Sequence, residues 1–142
     1  MILPDANLLI CAHNKDFEQH EKAFNWWKDC LDKSREIAIP WTVSLAFLRI
    51  ATSREMLTTP LSVEQTLEII DYWLDQPHIH IPYPTTRHFS IFKNLIIHAA
   101  VAGNITTDTH LAALAIEHNF TIYSNGADFS RFRALKWKKP LM

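Results

Sequence analysis

Glycine and cysteine are the scarcest features of this chain, with two residues of each in 142. With only Gly103 and Gly126, there is no G-x-G-x-x-G segment and no Walker-type loop. Phosphate cradling by a glycine-rich backbone is therefore excluded. Cys11 and Cys30 fall inside apolar helical patterns and read as reduced core thiols rather than a disulfide framework. The net charge of −1 gives no global basic field, although a local patch is enough to meet nucleic acid. No apolar run reaches the ~18 residues that span a membrane. The amino terminus also lacks the basic stretch and apolar core of a signal peptide. These absences predict a cytoplasmic protein with no membrane partner.

What is present is ordinary globular composition, 48% apolar and 20% charged, in a length that fits one domain with a real core. Ile2-Leu3 suggests a short buried strand ending at Asp5, with a helix over Asn7 to His13. From Phe17 to Leu31, apolar residues recur at Ala23, Phe24, Trp27, Cys30 and Leu31 with the spacing of an amphipathic helix. Ile37-Ala38-Ile39 reads as a second strand stopped by Pro40, and Thr42 is placed to cap a helix through Ala51. Ser62-Val63-Glu64-Gln65 is a capping-box signature, with Val63, Leu67, Ile70 and Leu74 on one face of the helix that follows.

His78 to Pro82 alternates with period two, as a strand does. Thr86 to Val101 predicts a helix that buries Phe89, Phe92, Ile96 and Ala99 and ends at Gly103. Thr107 to His118 predicts another helix, and Phe120 to Ser124 a strand. Strands alternating with helical crossovers predict a single α/β domain with a mostly parallel sheet covered on both faces.

Two acids stand out in that frame. Asp5 follows the first apolar strand, and Asp108 lies where a tight connection hands over to a helix. Each reads either as a helix cap or as half of an oxygen-rich cation site at the carboxyl ends of the strands. The two roles are compatible.

At this point the chain resembles the PIN-domain family, and within it the VapC-type ribonuclease toxins of toxin–antitoxin systems. The matching segments are Leu3-Pro4-Asp5-Ala6-Asn7-Leu8-Leu9, Ile39-Pro40-Trp41 and Phe47-Leu48-Arg49-Ile50-Ala51-Thr52. Further on come Gly103 to Asp108 with His110 to Ala115, then Tyr123-Ser124 with Ala127-Asp128-Phe129. They follow the family's order over nearly the whole chain.

The resemblance implies a three-layer α/β/α sandwich and Mg²⁺- or Mn²⁺-dependent cleavage of RNA. It also implies inhibition by a cognate antitoxin and a homodimer. Asp5 matches the first family acid and Asp108 the third; Asp128 is retained and adds a candidate carboxylate, directly or through water. Asn7 and Thr107 match residues that support the carboxylates. The second acid is replaced by Ala46, with no Asp or Glu between Ile37 and Arg54, and the fourth by Gly126.

Phosphodiester hydrolysis needs an activated water and neutralised charge at phosphorus, and a hard divalent ion on carboxylates supplies both. With Ala46 and Gly126 in place, the expectation is one weakly held ion and a slow nuclease. The alternative is a degenerate PIN module that binds RNA or antitoxin with little or no cutting. Arg49, one turn beyond Ala46, is a candidate for gripping phosphate or a partner's carboxylate, or for a structural ion pair. His78 and His80 share a strand face without a third ligand, which argues against zinc. Arg131, Arg133, Lys136, Lys138 and Lys139 read as either a solvated tail or a phosphate-tracking rim.

Overall fold

The computed structural model describes residues 1–99 and 105–142. Five short strands form one sheet: β1 (Ile2–Pro4), β2 (Ile37–Ala38), β3 (Ile79–His80), β4 (Thr121–Tyr123) and β5 (Lys136–Lys138). Their order is β3-β2-β1-β4-β5, and every pairing is parallel. Parallel neighbours need long crossovers, and helices supply most of them. α1 (Ala6–His13) and α2 (His20–Asp32) link β1 to β2, while α3 (Trp41–Ala51) and α4 (Val63–Asp75) link β2 to β3. α5 (His88–Ala99) and α6 (Thr106–His118) lie between β3 and β4. A 3-10 turn, Asp128–Arg131, separates β4 from β5.

The chain moves one way across the sheet from β1 to β3, then returns past β1 to β4. Right-handed crossovers therefore put α1 to α4 on one face and α5 with α6 on the other. The packing agrees, since α1 meets α2 and α3, α3 meets α4, and α5 meets α6. The result is the three-layer α/β/α sandwich of a PIN-like fold. Its centre is β1 and α1, where Leu3, Leu8 and Leu9 are wholly buried. Fully burying a leucine is worth ~2 kcal/mol, and truncating one to alanine in such a core costs ~3 kcal/mol. Cys11 and Cys30 are buried free thiols, and burial pushes Cys30 up to about 11, which keeps it protonated and inert.

Several local expectations change. The second helix starts at His20, and Phe24 faces solvent. α3 begins at Trp41 with Pro40 as its N-cap; Thr42 lies inside the helix, its hydroxyl buried without a partner. The Ser62/Gln65 capping box is present, but α4 is turned so that Thr66, Ile70 and Trp73 are buried while Val63, Leu67 and Leu74 are exposed. Thr66 fits there because its hydroxyl donates to the Ser62 carbonyl at 2.9 Å.

No side chain of α5 is fully buried: Phe92, Ile96 and Ala99 are half-buried, while Phe89 and Ile97 are 69% and 64% exposed. The expected continuation to Val101 and the stop at Gly103 lie outside the described residues. The basic carboxyl-terminal stretch is more than a tail: Lys136-Trp137-Lys138 pairs with β4 as an edge strand.

Candidate active site

Strand order reverses between β1 and β4, which are adjacent in the sheet yet both flanked by helical crossovers. In open parallel sheets this switch point leaves a crevice beyond the carboxyl ends of the two strands. The register Pro4↔Tyr123 puts Asp5 and Ser124, the next residues on each strand, side by side there. The Asp5 amide donates to the Tyr123 carbonyl at 2.8 Å and fixes that alignment.

Asp5 is the N-cap of α1, in extended conformation. Its Oδ1 accepts from the Ala6 amide at 2.8 Å, and its Oδ2 accepts from the Ser124 hydroxyl at 3.0 Å. Both readings of Asp5 therefore hold together: it caps a helix and also faces the crevice. Burial raises its pKa; the Ser124 and Ala6 hydrogen bonds work against that rise, and the nearby charge of Asp128 adds to it.

Asp108 is the third residue of α6, whose N-cap is Ile105. A helix amino terminus favours an anion, yet Asp108 is pushed up to about 6. The largest cause is burial, followed by the charges of Asp5 and Asp128, with Arg131 pulling the other way. The three carboxylates thus sit close enough to repel one another, and Arg131 is the cation that reaches Asp108.

Asp128 opens the 3-10 turn and is exposed. Asn7 is held near Asp5 through shared partners: its Oδ1 accepts from the Asn125 amide at 3.3 Å and lies 3.5 Å from Ser124 Oγ. Thr107 is exposed beside Asp108. Arg49 is exposed in the last turn of α3, and no ion pair involves it among the described residues. Ala46 offers no donor. A Cβ on Gly126 would meet only Asn7 Nδ2, at 3.7 Å, so that position points toward the site and has room.

Ser124 is the residue that sequence reading did not assign a role. It is 1% exposed, donates to Asp5 and accepts from the Gly126 amide at 3.2 Å. Its place at the end of the expected strand and its presence in the matching Tyr123-Ser124 segment were the signals that could have found it.

The donor set suits a hard cation. It is oxygen-only, anionic and short of compensating charge, which is the chemistry Mg²⁺ and Mn²⁺ take, with water and phosphate completing the shell. Among the described residues no group of three His, Cys, Asp or Glu side chains is already at metal-holding geometry. Asp5 and Asp108 would make the core of the site and Asp128 its outer contribution.

Fold and crevice together define a PIN-like domain with an acidic site at its topological switch point. No family model matches the chain. Curated relatives do: it is 38% identical to ribonuclease VapC33 of Mycobacterium tuberculosis over 99% of both chains. It is 34% identical to ribonuclease VapC37 of the same species, over 99% of this chain and 97% of that one. The chain belongs to the VapC family.

Solved structures agree on the fold. VapBC2 from Rickettsia felis, bound to a DNA fragment from its promoter, aligns with a TM-score of 0.66 at 21% identity, over 97% of this chain and 98% of that one. DNA-bound VapBC from Salmonella typhimurium aligns with a TM-score of 0.66 at 16% identity, over 98% and 97%.

Proposed function

We propose that this chain is the toxin of a type II toxin–antitoxin pair, a divalent-metal-dependent endoribonuclease that cuts RNA phosphodiester bonds. What supports the reading is Asp5 at the switch point with Asp108 and Asp128 near enough for their charges to act on one another, in a chain 38% identical to a ribonuclease over 99% of its length. When bound, Mg²⁺ or Mn²⁺ would supply positive charge at the scissile phosphate and a source of hydroxide near neutral pH. The chain's own part is to hold the carboxylates. The Ser124 hydroxyl and the Ala6 amide orient both oxygens of Asp5, and α6 presents Asp108 from its first turn. Asn7 braces the strand ends against each other.

The second reading, a degenerate module that binds RNA or antitoxin without cutting, draws on Ala46 and Gly126, which bring no carboxylate. One experiment separates them. Purified wild type, Asp5→Asn and Gly126→Asp are given labelled RNA and a Mn²⁺ series. Cleavage by the wild type that Asp5→Asn loses supports the enzyme; cleavage confined to Gly126→Asp supports the disarmed module.

Cytoplasmic location, a cognate antitoxin and a homodimer belong to the same proposal. Among the described residues no helix is long and apolar enough to cross a membrane. Phe24, Tyr72, Phe89 and Ile97 leave large apolar area exposed, the kind of surface that association covers. Light scattering on the isolated chain tests the dimer.

A further inference from the structure

Arg131 belongs to two places at once. Its Nε donates to the Asp128 carbonyl at 3.0 Å, and Nη2 lies 3.8 Å from Asp128 Oδ1. The guanidinium is therefore tied to the turn that carries the third carboxylate, and its charge reaches Asp108. The same side chain lines a cleft of about 370 Å³ between α5 and the segment after that turn. Leu95 and Phe132 give this cleft an apolar floor, Asn94 and His98 add hydrogen-bonding groups, and Arg133 is a second cation. Among the described residues no carboxylate lines it.

We infer that this cleft is a subsite for single-stranded RNA, seating the nucleotide that neighbours the one being cut, with Arg131 and Arg133 on its phosphates. The inference rests on the nuclease reading above and extends it to named residues. The volume lies at the lower end of the ~300–1,000 Å³ typical of ligand clefts, which suits one nucleotide rather than a folded partner. The planar guanidinium fork matches phosphate oxygens, and a positively charged groove tracks a single strand's backbone without reading its sequence. Continuity decides the occupant. Arg131 joins the cleft to the acidic site, so a strand with one phosphate on Arg131 delivers the next toward Asp5 and Asp108. An acidic peptide has no such repeating link to the site.

The test is equilibrium binding of a short fluorescein-labelled single-stranded RNA to the full chain across a salt series, without added divalent ions. Wild type, Arg133→Ala and Arg133→Glu are compared, alongside cleavage kinetics with Mn²⁺. Arg133→Ala is expected to weaken binding and flatten the log–log salt slope by about 0.7, the value of one single-strand phosphate contact. Arg133→Glu is expected to weaken binding further, and in both variants KM rises while kcat holds. Unchanged affinity and slope in both variants, with unchanged melting temperatures, overturn the subsite. So does a wild type that binds no RNA, or a glutamate-rich peptide that depends on Arg133 where RNA does not. Arg133-dependent RNA binding by a wild type that never cuts overturns the nuclease reading alone and leaves the subsite standing.

Discussion

The two ends of α6 each hold a carboxylate, in opposite circumstances. At the last turn, Glu117 has a side chain with no exposed surface and a full set of partners. The Thr85 amide donates to its Oε1 at 2.8 Å, and its Oε2 meets His88 Nδ1 at 2.8 Å. His88 Nε2 in turn lies 3.0 Å from His110 Nδ1, so a chain of polar groups ties α5 to α6. At the first turn, Asp108 is only half-buried, yet its neighbours are two more carboxylates and one arginine. Burial alone therefore does not distinguish a structural acid from a functional one. The partners differ: Glu117 is satisfied inside the protein, whereas Asp108 faces the charges of two further carboxylates, as the proposed cation site requires.

Breaking each end should read out differently. The largest effect is expected at the first turn's partner. Asp5→Asn should reduce RNA cleavage by more than the ~10–100-fold typical of an outer-shell support, and Ser124→Ala should fall within that range. Both are measured as kcat/KM under saturating Mn²⁺, and wild-type rates in Asp5→Asn would remove Asp5 from the site. At the other end, Glu117→Ala removes the buried acceptor of the Thr85 amide and of the histidine chain. It should lose about 3 kcal/mol of stability in urea unfolding, with activity per folded molecule retained.

Gly126→Asp sharpens the contrast by restoring an acid where there is room for one. It should tighten Mn²⁺ binding by about tenfold, because affinity follows ligand charge; calorimetry reads this, and unchanged affinity would show that position 126 does not face the ion. The smallest effect concerns pH. A carboxyl raised to about 6 from 3.8 binds its proton more tightly in the folded chain than in the unfolded one. Without metal, its contribution to stability therefore grows as pH falls through 6 and levels off below 3.8. The wild-type melting temperature should rise relative to Asp108→Asn over that window, and a parallel pH course for the two proteins would contradict it. Added Mn²⁺ at neutral pH should raise the wild-type melting temperature in a saturable way.

Much of this arrangement was legible beforehand, for reasons specific to the residues. Ile2-Leu3 and the apolar run around Ile122 sit at the sheet's centre, and central parallel strands are apolar throughout, so Asp5 after the first was conspicuous, while Asp108 stood out at the start of its helix. Lys136-Trp137-Lys138 escaped because an edge strand tolerates, even favours, lysine, and three residues show no period. The α5 periodicity is real, but a pattern reports which face is apolar and not whether anything covers it; Phe89 and Ile97 remain in solvent. α4 turned because Trp73, wholly inside against Phe47 at 4.9 Å, claims more apolar burial than Leu74. Ser124 lay in a segment that matched the family, but its role was not legible, since that comes from a residue 119 positions away.

That separation has a consequence in time. Asp5 precedes its partner Ser124 by 119 positions, so it is made well before that residue and β4. β1 is flanked in the sheet by β2 and β4, so one of its edges stays open until β4 has emerged. Because synthesis runs from the amino terminus, the nascent chain carries Asp5 long before anything can orient it. Under the proposed function, the Asp5 end of the site is set in its final geometry only after β4 has been made.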